Sequence, residues 1–129
     1  MIMDNVKKEN KHGIEIYDYT GKDYQTAMRF GKWRVAYLNH ADRFDKANFE
    51  KVERHNESDE VFVLLTGKAT LIIGEELKEI EMEPHKMYNV PKGVWHHIFT
   101  NEDTSVLIVE NEDTSDDNSE YLYVREISK

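Results

Sequence analysis

The chain is built from short segments in which apolar and polar residues alternate, a pattern that predicts half-buried β-strands. The clearest example is residues 14–19, Ile-Glu-Ile-Tyr-Asp-Tyr, and turn residues such as Gly67 and Pro91 separate one segment from the next. Further strands are predicted at 33–38, 49–55, 61–65, 69–73, 87–90, 96–100, 106–110 and 121–125. Short strands spaced roughly ten residues apart predict an all-β sandwich or barrel.

Residues 23–30 are an exception, because they contain enough helix formers to predict one short helix. The chain has 129 residues, which suits one hydrophobic core of ordinary size. The sequence shows neither an internal repeat nor a low-complexity linker. We therefore predict a single domain over residues 1–129.

Two carboxylates and two imidazoles are spaced so that they can converge on one metal ion or one polar ligand. Glu53 and His55 are two residues apart, so on a strand their side chains leave the same face. A hairpin folded at the polar connector 56–59 brings Glu60 back beside His55. His96 follows a Pro-x-Gly turn and begins a third strand that can lie alongside.

These residues resemble the first motif of the cupin superfamily, G-x5-H-x-H-x(3,4)-E-x6-G. His55, Glu60 and Gly67 follow the order of that motif, and the last two are in register. Glu53 stands where the family has its first histidine, and the leading glycine is missing. The substitution either keeps a metal ligand or marks a site that has lost its metal.

The second cupin motif, G-x5-P-x-G-x2-H-x3-N, is matched by Pro91, Gly93 and His96. Met87 occupies the position of the leading glycine, and Asn101 lies one residue later than the pattern requires. The resemblance covers residues 45–110. It implies an all-β, cupin-type double-stranded β-helix (a jelly-roll barrel) with at most one or two short helices. The fold implies no particular reaction, because cupins host many chemistries.

His97 competes with His96 for the ligand position, since His97 and Asn101 satisfy the H-x3-N spacing. Alternation places the two histidines on opposite faces of their strand, so only one is expected to enter the cavity. The spacing from Pro91 favours His96.

The predicted metal ligands are Glu53, His55, Glu60 and His96. Two imidazoles and two carboxylates are neutral with a divalent ion and suit zinc, manganese, iron or nickel. Without metal, Glu53 and Glu60 would be crowded carboxylates with raised pKa values, and one of them could act as a general acid or base. We therefore predict Glu53 and Glu60 as catalytic residues.

A narrower resemblance, to ureidoglycolate lyases, is carried by three strings of residues. They are Val-Glu-Arg-His at 52–55, Phe-Val-Leu-Leu at 62–65 and Gly-Val-Trp-His-His at 93–97. Those lyases are homodimeric cupin-like enzymes that split ureidoglycolate into glyoxylate and urea. Leu64 stands where that family has proline, and Glu60 stands near its usual glutamine.

Composition narrows the classes of partner. A net charge of −9 argues against nucleic acid and against anionic membrane surfaces, which both attract Lys and Arg. The absence of cysteine excludes thiolate ligands and suits the cytoplasm, and residues 1–13 show no signal-peptide pattern. The acidic segment 110–120 is interpreted as a solvated connector rather than a calcium loop, because it lacks the EF-hand spacing.

Assembly is predicted from the strand that follows Gly93. If His96 faces inward, then Trp95, His97 and Phe99 face outward and need cover. We predict a homodimer with this face or the 121–125 strand at the contact. The alternative is that the 14–19 strand covers these residues within one chain.

Two functions of different classes remain open at this stage. The first is a metal-assisted lyase or isomerase acting on a small carboxylate- or sugar-like molecule. The second is a non-catalytic module that binds or senses such a ligand.

Overall fold

The computed structural model describes the backbone of residues 6–127 and the side chains of residues 6–125. Twelve strands make up most of this part of the chain. They are β1 (Val6–Lys11), β2 (Ile14–Tyr19), β3 (Asp23–Phe30), β4 (Trp33–Asn39), β5 (Lys51–His55), β6 (Glu60–Thr66), β7 (Ala69–Ile73), β8 (Lys78–Glu81), β9 (Met87–Val90), β10 (His96–Thr100), β11 (Ser105–Asn111) and β12 (Ser119–Tyr123). Single 3-10 turns lie at Asp42–Phe44, Lys46–Asn48 and Asp116–Asn118, and the one α-helix described, α1, spans Val124–Ile127.

Ten of the strands form two five-stranded antiparallel sheets. Sheet 1 has the order β12-β5-β10-β7-β8, and sheet 2 has the order β3-β4-β11-β6-β9. β1 and β2 form a separate hairpin. The sheets enclose one apolar core, and the largest side chains in it include Phe44, Phe62, Leu64, Leu71, Ile98 and Ile108. The all-β, barrel-type prediction is therefore confirmed.

The helix predicted at residues 23–30 is wrong, because this segment is strand β3. It pairs with β4 from Asp23 opposite Asn39 to Phe30 opposite Trp33. A register shift between Thr26 and Met28 accommodates one extra residue. Pairing with the edge of a sheet outweighs the modest helix propensity of these residues.

The second prediction to be corrected concerns the end of the chain. The strand expected at 121–125 begins two residues earlier as β12 and gives way to α1 at Val124. Its register with β5 is important for the site, since Ser119 lies opposite His55 and Tyr121 lies opposite Glu53.

None of the helices in residues 6–127 is both long and apolar enough to cross a membrane.

Candidate metal centre

Three strands bring Glu53, His55, Glu60 and His96 to one place inside the barrel. Glu53 and His55 leave the same face of β5, and His96 on β10 is paired directly opposite Glu53. Glu60 is the first residue of β6 and reaches the same place from sheet 2. The hairpin predicted at 56–59 is therefore wrong, because this connector crosses from β5 in sheet 1 to β6 in sheet 2 and the two strands do not pair. All four line a cavity of about 320 Å³. We refer to them as the four-residue cluster.

The cluster has the dimensions of a coordination shell. Glu60 Oε1 lies 3.0 Å from His55 Nε2 and 3.1 Å from His96 Nε2. Glu53 Oε2 lies 3.4 Å from His55 Nε2 and 3.9 Å from His96 Nε2. Donor atoms that share one ion at bond lengths of about 2.0–2.2 Å are separated by roughly 3–4 Å. One atom from each side chain can therefore coordinate the same ion.

Hydrogen bonds orient both imidazoles towards the cluster. The Nδ1 atom of His96 lies 3.1 Å from the carbonyl of Val94, which can only accept. His55 Nδ1 lies 2.8 Å from Ser119 Oγ, whose own proton is donated to the carbonyl of Ser115. Both Nδ1 atoms therefore carry protons, and in the neutral rings both Nε2 atoms present lone pairs. Such outer hydrogen bonds are typical of histidines that bind metal through the other nitrogen.

These lone pairs face carboxylate oxygens, so the geometry requires either protons or a cation between them. Burial disfavours a charged imidazole at His55, but hydrogen bonds to Glu53 and Glu60 outweigh it and raise its pKa to about 10. The pKa of His96 is also raised, because Glu60 and Glu53 outweigh burial. Burial raises the pKa of Glu60, but hydrogen bonds from both imidazoles have the larger effect. The net pKa of Glu60 therefore lies well below its usual value. The raised pKa expected for Glu60 is therefore wrong.

Chelator-treated protein is expected to lose stability as the solution becomes alkaline. The pKa of His55 is raised from 6.5 to about 10, so its contribution is complete below pH 6.5 and disappears as the pH rises towards 10. The lowered pKa of Glu60 has the opposite consequence, because its contribution is lost only in strong acid. Thermal unfolding measured from pH 5 to 10 should show a decline from near neutrality upwards. A midpoint that does not change across this interval would contradict the pKa assigned to His55.

His97 does not belong to the cluster. Its ring stacks on Phe49 with centroids 5.0 Å apart and meets Phe99 edge-on. Burial lowers its pKa to about 4, and its Nε2 atom finds no hydrogen-bond partner among the described residues. His97 also borders the cavity, which strict alternation does not predict. β5 and β10 pair at one position, Glu53 opposite His96, so no residue of β5 is paired with His97.

Sequence reasoning missed the opposite wall of the cavity, which contains Tyr24, Arg34, Glu110 and Thr114. Glu110 carried a usable signal, because it shares the inward parity of Val106 and Ile108 along β11. Tyr24 carries no such signal, because the sequence predicts a helix over residues 23–30.

The acidic segment 110–120 does not supply a group of metal donors among the described residues. Its exposed members are used in local structure: Tyr121 donates to Asp116, and Ser115 caps the turn that contains Asp117. The prediction of a solvated connector is wrong at Glu110 and Thr114, because both are buried. A second set of donors that could hold an ion lies elsewhere, at His40, Asp42 and Asp45, and is more exposed than the cluster.

A protein-family model described as "Cupin domain" matches residues 44–110. That range includes all four residues of the cluster and more than half of the chain. No curated protein matches the chain.

Solved structures with a similar fold share little sequence with this chain. The nucleoside dehydratase Pac13, from Streptomyces, superposes with a TM-score of 0.60 at 11% identity, covering 92% of this chain and 86% of that one. A cupin-2 domain protein from Shewanella frigidimarina gives 0.57 at 20% identity, over 73% and 85% of the two chains. KdgF from a Halomonas species gives 0.54 at 12% identity, over 73% and 80%. At these identities the likeness concerns the fold.

Proposed function

The chain belongs to the cupin domain family, and we propose that it is a single-domain jelly-roll cupin of the cytoplasm whose cavity holds a divalent metal ion and processes a small polar substrate. The ligands are Glu53, His55, Glu60 and His96, and the ion is zinc, manganese, iron or nickel. The reaction is that of a lyase or isomerase acting on a carboxylate- or sugar-like molecule.

One observation carries this proposal: two imidazoles, each fixed through Nδ1, direct Nε2 at a single buried carboxylate oxygen. Glu60 is 6% exposed and His96 is 3% exposed, so water has little access to screen the charge of the Glu60 carboxylate. Burying such a group without a counter-charge is costly. A divalent ion satisfies every donor atom at once, and the tautomer that both rings share leaves their Nε2 atoms free to bind it.

The residues of the chain have different tasks in this proposal. Glu60 and the two histidines hold the ion on the barrel wall. The side chain of Glu53 is 37% exposed and lines the cavity, so one of its oxygens completes the ligand set while the other can take a proton from a substrate C–H or O–H group. A bound ion would polarise a carbonyl or hydroxyl oxygen of the substrate and so stabilise developing negative charge.

The comparisons support a lyase-type reaction in general terms. Pac13 is described as a nucleoside dehydratase, and other structures of it contain uridine. Removal of water from a hydroxylated substrate is a lyase reaction that combines proton abstraction with departure of a hydroxyl group. The polar lining of the cavity in this chain can accommodate a substrate of that general kind.

Metal titration tests this proposal directly. Purified protein, first stripped with a chelator, is expected to take up one equivalent of zinc, manganese, iron(II) or nickel and to release protons as the histidines lose theirs. Calorimetry in buffers of different ionisation enthalpy counts those protons. His55→Ala removes one of the four ligands and is expected to lose bound metal. Its matched control is His12→Ala, at an exposed histidine in the β1–β2 turn. Failure of the unmodified protein to bind any of these ions would overturn the enzyme proposal and favour the metal-free binding module.

We also propose that the protein is a homodimer. Large apolar side chains are exposed together at the β3–β4 turn of sheet 2, where Phe30 at 69% and Trp33 at 43% have ring centroids 6.0 Å apart, and Ile14 on the adjoining hairpin is 65% exposed. Exposed apolar groups of this kind usually mark an interface. On sheet 1, by contrast, Phe49 packs over His97 and Phe99, so the face first predicted as the contact has cover within the chain.

Sedimentation equilibrium at micromolar concentration should therefore give twice the chain mass of 15.3 kDa. Phe30→Lys places a charge beside Trp33 and is expected to shift the mass towards that of the monomer. Ile80→Lys, at an exposed apolar position on β8 of sheet 1, is the matched control. A strictly monomeric mass for the unmodified protein would refute the dimer.

A further inference from the structure

The cavity wall formed by β3, β4 and β11 contains a second polar site, centred on the carboxylate of Glu110. Tyr24 Oη donates to Glu110 Oε2 at 2.5 Å. Arg34 donates to the same oxygen from Nη2 at 3.0 Å and from Nε at 3.3 Å. Among the described residues, no hydrogen bond reaches the other oxygen, Oε1. The side chain of Glu110 is 3% exposed and lines the cavity, so this free acceptor is available to a molecule bound there rather than at the outer surface.

Thr114 adds a second unused polar atom beside Glu110. The Nη2 atom of Arg34 that binds Glu110 also donates to the carbonyl of Thr114 at 3.0 Å, so the two residues are held at one guanidinium group. Thr114 is 7% exposed and lines the cavity. Its Oγ1 atom is buried and has no hydrogen-bond partner within residues 6–125. Buried hydroxyl groups are nearly always hydrogen-bonded, so an unpaired one beside a cavity indicates a missing partner.

The charges of this site decide what kind of group can bind there. Arg34 is fully engaged, because it also donates to the carbonyl of Glu112 at 3.0 Å and to Tyr24 Oη at 3.1 Å. Arg43, the other arginine that lines the cavity, is paired with Asp23 at 2.7 Å. Among the described lining residues, no unpaired Lys or Arg therefore faces the ligand, while one carboxylate oxygen does. Such a site accepts a hydrogen bond from a hydroxyl or N–H group and repels a carboxylate.

The two sites are close enough for one small molecule. Glu110 on β11 is the direct cross-strand neighbour of Glu60 on β6. Paired residues of antiparallel strands have Cα atoms about 5 Å apart and point to the same side of the sheet. Both carboxylates line the same cavity of about 320 Å³. A molecule the size of one sugar ring can therefore contact the metal cluster and the Glu110 site together.

We propose that Glu110 Oε1 and Thr114 Oγ1 bind hydroxyl groups of the substrate, so that the substrate is a neutral hydroxylated molecule, such as a sugar or nucleoside, rather than a dicarboxylate. This inference rests on the proposed function, because the four-residue cluster binds the other end of the same molecule. It narrows the substrate class, because the four-residue cluster alone allows both carboxylate-like and sugar-like molecules. Tyr24 and Arg34 are positioning residues, since they fix the carboxylate through Oε2.

Thr114→Val is the sharpest test. Valine has nearly the same shape as threonine, and the lost hydroxyl makes no hydrogen bond to the described residues, so the fold is expected to persist. Glu110→Gln removes the charged acceptor as well, but it also leaves Arg34 without its counter-ion. Thr70→Val, at a half-buried threonine on β7 away from the cavity, is the matched control.

Binding is measured by ligand-observed NMR and calorimetry on zinc-loaded protein with D-ribose, uridine and succinate as probes. We expect the hydroxylated probes to bind more tightly than succinate. Thr114→Val should weaken their binding by about tenfold and Glu110→Gln by more, because hydrogen bonds to charged groups are stronger. Thr70→Val should leave the affinities unchanged.

Tighter binding of succinate, no binding of either hydroxylated probe, or an unaltered affinity in Thr114→Val would each overturn this proposal. Failure of the metal-centre proposal appears in a different measurement. If the metal-centre proposal fails, the unmodified protein does not take up zinc. If only the Glu110 site fails, zinc uptake is normal in every variant.

Discussion

Glu60→Gln is expected to abolish tight metal binding while leaving the barrel folded. Glu60 Oε1 is the one atom that lies within 3.1 Å of both imidazoles, so its charge is central to the cluster. Loss of an outer-shell partner of a metal ligand costs about 10–100-fold in affinity. Loss of an anionic ligand should cost at least about 100-fold. Glutamine has the same shape, so packing against neighbouring side chains is retained.

Competition with a chromophoric chelator measures the metal affinity of this variant, and circular dichroism checks its fold. The same substitution should lower the pKa of His55 and His96, which NMR titration of the imidazole protons detects in chelator-treated protein. Glu79→Gln is the matched control, because Glu79 pairs with Lys46 on the surface, away from the cavity. Metal retention by Glu60→Gln equal to that of the control would show that the ion binds elsewhere.

Arg34→Met is expected to cause a large loss of stability. The side chain of Arg34 is 15% exposed, that of Glu110 is 3% exposed, and their closest atoms are 3.0 Å apart. Removing one partner of a buried ion pair costs about 3–5 kcal/mol, because the other charge stays buried and uncompensated. The carbonyls of Glu112 and Thr114 also lose their donor.

Arg29→Met is a matched control for Arg34→Met, since Arg29 lies directly opposite Arg34 in the register of β3 and β4. Its partner is Glu112 at 2.6 Å, but the side chain of Arg29 is 57% exposed, so its loss should cost less than about 1 kcal/mol. Urea denaturation gives both values. Replacing Arg34 and Glu110 together by Met should recover part of the stability. Equal effects of the two single arginine variants would contradict the buried-pair account.

The strand pattern predicted much of the fold because side-chain alternation in a β-strand has a fixed period of two. Strands 14–19, 69–73, 87–90 and 96–100 begin and end as predicted. The same parity predicted that Glu53 and His55 leave one face of β5. β1 and β8 were missed, because sequences such as Val-Lys-Lys-Glu-Asn-Lys lack apolar alternation and depend on their partner strands.

The Glu110 wall was not predictable from local pattern. Tyr24 and Glu110 are 86 residues apart in sequence, and Arg34 and Glu110 are 76 apart, so no local window contains both partners. The four-residue cluster differs, because its members lie within residues 53–96 and follow recognisable motif spacings, although β5 and β6 lie in different sheets and are not the predicted hairpin. The resemblance to ureidoglycolate lyases depends on strings within residues 52–97, and it stays a prediction.

The segment that matches the family model ends before β12, yet Ser119 on that strand fixes the tautomer of His55. During synthesis, all four ligands are therefore made before the strand that orients one of them. A nascent chain that ends short of β12 already carries the donors but lets the His55 ring rotate, so it should hold metal loosely and exchange it freely. Docking of β12 on β5 would then fix the His55 ring, so in the proposed metal site we expect tight metal binding only after the last strand has been synthesised.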